Sequence, residues 1–311
     1  VPAWSKPSTI AVAINPESCF GTKREVGSQV AARLRDAGYH VGELVAGDAA
    51  ALRIDVQRAI AEGAEAVVVV GGDGMVSLGA NIVAGTGIPL GLVPSGTGND
   101  AARGLGIPID DTAAAVARLL TALERAPSSI DAGRIAVRED PTAHGSASPV
   151  WFFGALSAGF DAVVNERANA MGWPRGPRRY TIAILRELLT LRPKRYRVVA
   201  DGVSSTIDAL LLSVANNGSI GGGMKIVPDA DLSDGELDLF VVTPMSRLAF
   251  LRLFPKVFTG AHVGLPVVRI ERVTSVELAC ESAVVAYADG ERVGELPLRI
   301  DVVPGALKVL I

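Results

Sequence analysis

Gly71-Gly72-Asp73-Gly74-Met75 follows the run Val67 to Val70 and precedes a helical pattern that begins near Val76. Three glycines let a backbone approach a phosphate closely with its N–H groups aimed at it, and the N-terminus of a following helix adds its dipole. Asp73 sits among these donors, where a carboxylate could hold Mg²⁺ or orient a hydroxyl. A tight turn with no ligand is the plain alternative for this loop taken alone. A second loop, Pro94-Ser95-Gly96-Thr97-Gly98-Asn99-Asp100, follows the next apolar run, with Arg103 close behind. Its hydroxyls, glycines, amide and guanidinium would make a second wall of an anion site. Two such loops after neighbouring strands are less readily accidental than either alone.

Carboxylates supply the remaining chemistry. Asp229, Asp231, Asp234, Glu236 and Asp238 fall within ten residues around Gly235, an oxygen-rich spacing that suits a hard cation; a solvated acidic turn is the alternative. Asp289-Gly290-Glu291 follows the apolar stretch Ala283 to Ala288. If that chain stays extended, the two carboxylates share one side and could face a single hydroxyl; otherwise the three residues are a turn. Asn216 to Lys225, with Gly221-Gly222-Gly223 inside it, reads as a loop that could cover a ligand or serve only as a connection.

The elements that must position these loops alternate strand and helix. Thr9 to Ile14, Tyr39 to Val45, Ala66 to Val70 and Ile88 to Val93 read as strands. Val26, Val30 and Leu34 mark one helical face, and Ala49 to Glu62 a further helix. This alternation predicts an α/β domain with a parallel sheet, whose ligands lie beyond the carboxyl ends of its strands. From about residue 130 strand candidates dominate: Ile130 to Val137, Val150 to Leu156, Arg195 to Ala200, Thr206 to Ala215 and Leu237 to Val242. The expected division is 1–129 and a β-rich 130–300, with 301–311 completing either, and a cleft between two lobes.

Composition narrows the classes. The 311 residues are 49% hydrophobic and 20% charged, with a net charge of −3, so no electrostatic footprint for nucleic acid exists. Cys19 and Cys280 lack metal-ligand spacing and read as reduced thiols. No secretory leader and no membrane span of about 18 apolar residues is evident, so a cytoplasmic location is expected. GxxxxGK[ST] is absent and no GxGxxG follows the first strand, which disfavours P-loop kinases and dinucleotide dehydrogenases.

With those motifs in order, the chain resembles the diacylglycerol kinase catalytic family, which includes sphingosine and ceramide kinases and bacterial lipid kinases. The matching pieces are Asn15-Pro16, Gly71 to Gly74, Ile88-Pro89-Leu90-Gly91 through Arg103, Asp229 to Leu239 and Asp289-Gly290-Glu291. The resemblance implies an ATP-binding α/β domain like that of phosphofructokinases and NAD kinases, then a β-sandwich-like domain with the lipid site between them. It also implies that Glu291 accepts the proton of a lipid hydroxyl while Asp289 helps align it. A structural Mg²⁺ is implied near Asp234, with Asp231 and Glu236 contributing backbone oxygens. ATP phosphates would lie against Asn15, Pro16, Gly71, Gly72, Asp73, Gly74, Met75, Ser77, Ser95, Gly96, Thr97 and Asn99. The chain departs from the family at Met75, where Thr is common, at Ser77, where Asn is common, and in lacking a glycine soon after Pro16.

The expected activity is therefore ATP-dependent phosphorylation of a diacylglycerol-like lipid. An NAD kinase-like or other soluble-substrate kinase, and a catalytically silent lipid-binding regulator, are the rival readings. The basic, apolar stretch from Trp173 to Arg197 carries Arg175, Arg178, Arg179, Arg186, Arg192, Lys194, Arg195 and Arg197, and could form a helix resting on an anionic membrane; a packed helix with a solvated basic face is the alternative. Phe250, Leu251, Phe254 and Phe258 fall at helical spacing and read more readily as core than as a lipid contact. No motif sets the oligomeric state, and a homodimer stays open.

Overall fold

The computed structural model describes residues 5–14, 25–136, 149–171, 182–183, 186–187 and 191–311. The chain divides into two compact units: Val1–Ala132 with Gly221–Gly223 and Pro304–Ile311, and Gly133–Ile220 with Met224–Val303.

In the first unit the order is β1 (Thr9–Ile14), α1 (Val26–Asp36), β2 (His40–Val45), α2 (Ala49–Ala61), β3 (Ala66–Gly71), α3 (Asp73–Val83), β4 (Pro89–Pro94), α4 (Asp100–Gly104) and α5 (Thr112–Leu123). The strands lie parallel in the order β2-β1-β3-β4. All six positions of β3 and of β4 are buried, as an uninterrupted apolar run requires when helices cover both faces. Each valine so enclosed contributes on the order of 1.5–3 kcal/mol relative to exposure. Edge strand β2 alternates toward solvent. Val26, Val30 and Leu34 form the buried face of α1, at the expected four-residue spacing. Asp48 and Asp111 cap α2 and α5 by accepting from Ala51 N and Ala114 N at 2.8 and 3.0 Å. The strand order reverses at β1 and β3, so the loop after β3 opens at a topological switch point.

After β5 (Ser128–Ala136), the second unit contains β6 (Val150–Phe152), β7 (Ala155–Ser157), α6 (Phe160–Ala170), β8 (Lys194–Ala200), β9 (Val203–Ala209), β10 (Leu211–Ala215), β11 (Leu237–Val242), α7 (Arg247–Val257), β12 (Val268–Val273), β13 (Ser275–Cys280), β14 (Val285–Ala288), β15 (Glu291–Glu295) and β16 (Leu298–Val309). One sheet places β16 beside β13, β8 and β9; the other runs β12-β11-β10-β7-β14-β15. Their inner faces meet in a single core that includes Tyr196, Val198, Val276 and Leu278 from one and Leu156, Leu212, Val214 and Leu239 from the other. The second unit is thus β-sandwich-like, and the predicted fold class stands.

Two predicted strands differ in detail. The stretch 150–156 is two strands interrupted at Phe153-Gly154, and 206–215 is divided at Leu210. The tail forms the single strand β16, whose residues up to Val303 group with the second unit and the rest with the first, where Lys308 and Val309 pair with Pro89 and Leu90 of β4.

Candidate active site

The helix α3 begins at Asp73, three residues before the sequence pattern suggested, with Gly72 as its N-cap. Gly71 to Gly74 is therefore the strand-to-helix turn itself. The amides of Asp73 and Gly74 lie in the first turn, where no intrahelical carbonyl is available to them. Ser95 N donates to Gly71 O at 2.9 Å, which carries the β3–β4 ladder out into the two loops. There Gly72 and Gly96 pack back to back: a Cβ on Gly72 would stand 3.1 Å from Gly96 Cα, and one on Gly96 would overlap Gly72 Cα. A larger residue is excluded at Gly96 and would press the second loop outward at Gly72. Asn99, in the left-handed region at φ 55, accepts from Gly96 N and donates to Gly96 O, both at 3.0 Å, and so clamps the loop. The Ser95 side chain is 4% exposed, and its Oγ has no hydrogen-bond partner among the described residues. Thr97 is exposed at the loop tip and Gly74 faces open space.

Asp73 turns toward the second loop. One carboxylate oxygen accepts from Ala101 N at 3.1 Å, and a Cβ on Gly98 would lie 2.6 Å from the other. Burial pushes its carboxyl above the usual range; amides of Ala101, Asp100 and Asn99 pull it down, while the charge of Asp100 pushes it up. Asp73 thus ties the two loops together. Met75 and Ser77 are buried, Met75 against Gly71, so neither presents its side chain openly to a ligand. Asn15 and Pro16 lie outside the described residues.

One residue of this first unit carried no sequence signal beyond its place in the loop. Asp100, 6% exposed, accepts from Gly222 N and Gly223 N at 2.5 and 2.7 Å and pairs with Arg103 at 2.7 Å. The three glycines of 221–223, all at positive φ, are therefore held by a buried carboxylate.

The Asp289-Gly290 pair departs from the extended geometry considered above. Both residues have positive φ, 49° and 84°, and Ala288 pairs with Glu291, so they form the two-residue turn of a hairpin between β14 and β15. The Asp289 carboxylate accepts from Phe153 N, Gly154 N and Ala155 N at 2.8, 2.8 and 3.2 Å. Gly154 is required there because a Cβ would stand 2.7 Å from Asp289 Oδ1. Asn216 grips the same turn from its other side, donating from Nδ2 to Phe153 O at 2.9 Å. The two carboxylates of the motif thus have separate surroundings: Asp289 is bound to three amides, whereas Glu291 is exposed and makes no hydrogen bond or ion pair among the described residues. Asn216 was noted only as the start of a possible covering loop and Gly154 only as part of a strand, because their partners are distant in the chain.

In the acidic turn, Asp231 accepts from Ser233 N and Oγ at 2.9 and 2.8 Å, and Asp234 accepts from Glu236 N at 3.0 Å. Arg272 lies 3.5 Å from Asp234 and 3.2 Å from Glu236. Among the described residues no three His, Cys, Asp or Glu side chains are grouped to hold a metal ion. A guanidinium thus already balances Asp234 and Glu236, and the implied Mg²⁺ set of one Asp234 carboxylate oxygen with backbone oxygens of Asp231 and Glu236 is a different one from a cluster of side chains. The predicted basic segment lies mostly outside the described residues. Its last part is strand, not helix: Lys194, Arg195 and Arg197 sit on β8, and Arg195 pairs with Asp208 of β9 at 2.9 Å.

Comparison with known proteins agrees with this geometry. The family model described as "Diacylglycerol kinase catalytic domain" matches residues 9–135, and "YegS C-terminal NAD kinase beta sandwich-like domain" matches 154–311. A diacylglycerol kinase of Mycobacterium tuberculosis (strain H37Rv) is 43% identical over 297 residues, covering 95% of this chain and 93% of the relative. A diacylglycerol kinase of Bacillus subtilis (strain 168) is 25% identical over 289 residues, with 91% and 89% covered. The crystal structure of a diacylglycerol kinase from Bacillus anthracis str. Sterne superposes with a TM-score of 0.71 at 19% identity, covering 99% of this chain and 98% of that one, and so shares its fold.

Proposed function

This chain belongs to the diacylglycerol kinase family, and we propose that it transfers the γ-phosphoryl group of ATP to the free hydroxyl of a diacylglycerol-like lipid. The observation that carries this reading is the pair of loops after β3 and β4, brought into backbone contact at Gly72 and Gly96, with Gly74 facing open space at the helix start. The open N-terminus of α3 and the unpartnered Ser95 Oγ stand beside it. That set fits a chain of phosphates: backbone amides and a buried hydroxyl donate, and the helix dipole favours negative charge.

Phosphoryl transfer through a loose transition state asks chiefly for positioning and charge neutralisation. Mg²⁺ arriving with the nucleotide supplies the second when bound. The residues of this chain supply the first: Gly71 to Gly74, Ser95, Gly96 and Thr97 hold the phosphates, while Asn99 clamps the second loop and Asp73 ties it to the first. Glu291 is the group suited to take the proton from the attacking lipid oxygen. Its carboxylate has no internal partner to release, and its hairpin is anchored by Asp289. As the lipid oxygen bonds to the γ-phosphorus, the bond to the bridging oxygen of ADP breaks and the proton passes to Glu291. Asp289 then acts through the backbone as a positioning residue. In the acidic turn Arg272 neutralises Asp234 and Glu236, and a Mg²⁺ held by the Asp234 carboxylate with backbone oxygens of Asp231 and Glu236 would brace the turn without taking part in the transfer. The acceptor resides in membranes, so we place the protein at a membrane surface as a peripheral visitor; no described helix is long and apolar enough to cross one.

The test is transfer of labelled phosphate from Mg-ATP to diacylglycerol, a sphingoid base and a monoacylglycerol in mixed micelles, with NAD as a soluble control. Label is expected in diacylglycerol, and Glu291→Gln should lower turnover by roughly two or more orders of magnitude with ATP affinity nearly unchanged. Label in NAD alone would replace the lipid reading with a soluble-substrate kinase.

A further inference from the structure

Helix α7 carries two apolar faces. Phe250, Leu253 and Val257 are 3, 5 and 7% exposed and pack inward, with Phe250 edge-on to Phe160 at 5.1 Å. Leu248, Leu251 and the C-cap Phe258 are 57, 46 and 46% exposed, three of the six exposed large hydrophobics among the described residues. With Pro255, also exposed, they recur at 248, 251, 255 and 258. At about 100° per residue these four occupy one sector of about 80°, turned about 150° from the buried face. The stripe is rimmed by cations. Arg252 and Lys256 lie along one side and Arg247 along the other; all three are exposed and form no ion pair among the described residues. Between Asp238 and Glu271 the chain contains no acidic residue, although the whole carries −3.

We propose that this outer face of α7 is the element by which the protein docks on an anionic lipid surface, with Leu248, Leu251 and Phe258 entering the acyl boundary and Arg247, Arg252 and Lys256 contacting the headgroups. The proposal rests on the lipid kinase reading for its purpose but not for its physics. An amphipathic helix with a basic rim binds the plane of a membrane through buried apolar area plus attraction to anionic lipids. Charge complementarity favours this occupant over a second copy of the chain. A two-fold pairing through α7 would place one cationic rim against another and must overcome that repulsion.

The full chain, without ATP, would be sedimented with vesicles of phosphatidylcholine and with vesicles containing about a third phosphatidylglycerol. Binding should be at least about tenfold tighter to the anionic vesicles and should weaken with salt. Leu251→Glu combined with Phe258→Glu, and separately Arg252→Glu combined with Lys256→Glu, should each reduce it about tenfold or more. Ile54→Glu, at another exposed apolar position, should not. Circular dichroism should be unchanged in all variants, and phosphorylation of a water-soluble short-chain diacylglycerol should stay at the wild-type rate. Undiminished vesicle binding by both double variants overturns the proposal. So does a wild-type dimer that the variants dissociate without loss of vesicle binding, which would make the face an interface between copies. Failure of the lipid kinase reading would be seen separately, as no phosphorylation of the short-chain acceptor with vesicle binding intact.

Discussion

Two carboxylates two positions apart have different surroundings, and the roles proposed for them differ accordingly. Asp289 is enclosed by amide donors, so Asp289→Ala leaves the N–H groups of Phe153, Gly154 and Ala155 without their acceptor. Urea unfolding should report a loss on the order of 3 kcal/mol, with a smaller loss for Asp289→Asn, which keeps one carbonyl oxygen and tolerates the positive φ. Glu291 makes no internal contact to lose. Glu291→Gln should leave stability within about 0.5 kcal/mol of wild type while turnover falls, so the same pair of assays separates positioning from proton transfer.

Among the elements, β11 contains the clearest pH-sensitive group. Burial pushes the Asp238 carboxyl up to about 6; Arg272 opposes that shift, and Asp234, Glu236 and Asp229 reinforce it. Unfolded, the group titrates near the ordinary value of 3.8. Between these values the folded protein holds a proton that the unfolded chain has released. Its contribution therefore favours folding below about pH 4 and is lost as pH rises through 6. Asp238→Asn should remove that slope and stabilise the protein at pH 7 by roughly 2 kcal/mol, measured by urea unfolding in EDTA across pH 4 to 8. An unchanged slope would show that Asp238 is not the group responsible. Elsewhere the elements cooperate through short polar residues: Asn99 clamps one loop, Asp73 joins it to the next, and Asp100 holds Gly222 and Gly223.

At the scale of the whole molecule, β16 serves both units. Ala306, Leu307, Val309 and Leu310 are each at most 7% exposed, Leu310 N donates to Leu90 O at 2.9 Å, and Gly305 N donates to Asp131 at 2.8 Å. Removing residues 304–311 should expose the β4 edge beside the two glycine loops. The truncated chain is expected to melt at least about 5 °C lower, or to aggregate, and to lose ATP binding as read by nucleotide titration. A soluble truncation with full ATP affinity would show that β16 is dispensable to the first unit.

Local pattern alone determined a good deal. The β/α alternation, the strand at β3 and the two glycine loops that follow β3 and β4 were legible from spacing and residue type, because each signal lies within a few residues of its effect. The order of motifs was enough to identify the family and hence the lipid kinase reading. Pairings across long stretches of chain were decided only in three dimensions. Asp289 meets residues 153–155 and Asp100 meets 222–223, and no periodicity marks a partner more than a hundred positions away. The strand expected over 150–156 broke for the same reason: Asp289 and Asn216 draw the Phe153-Gly154 turn out of the ladder. Helix α7 makes the point at the surface. Its spacing read Phe250, Leu251, Phe254 and Phe258 as core, but only Phe250 of these is fully buried, and packing against Phe160 and its neighbours left Leu248, Leu251 and Phe258 outside.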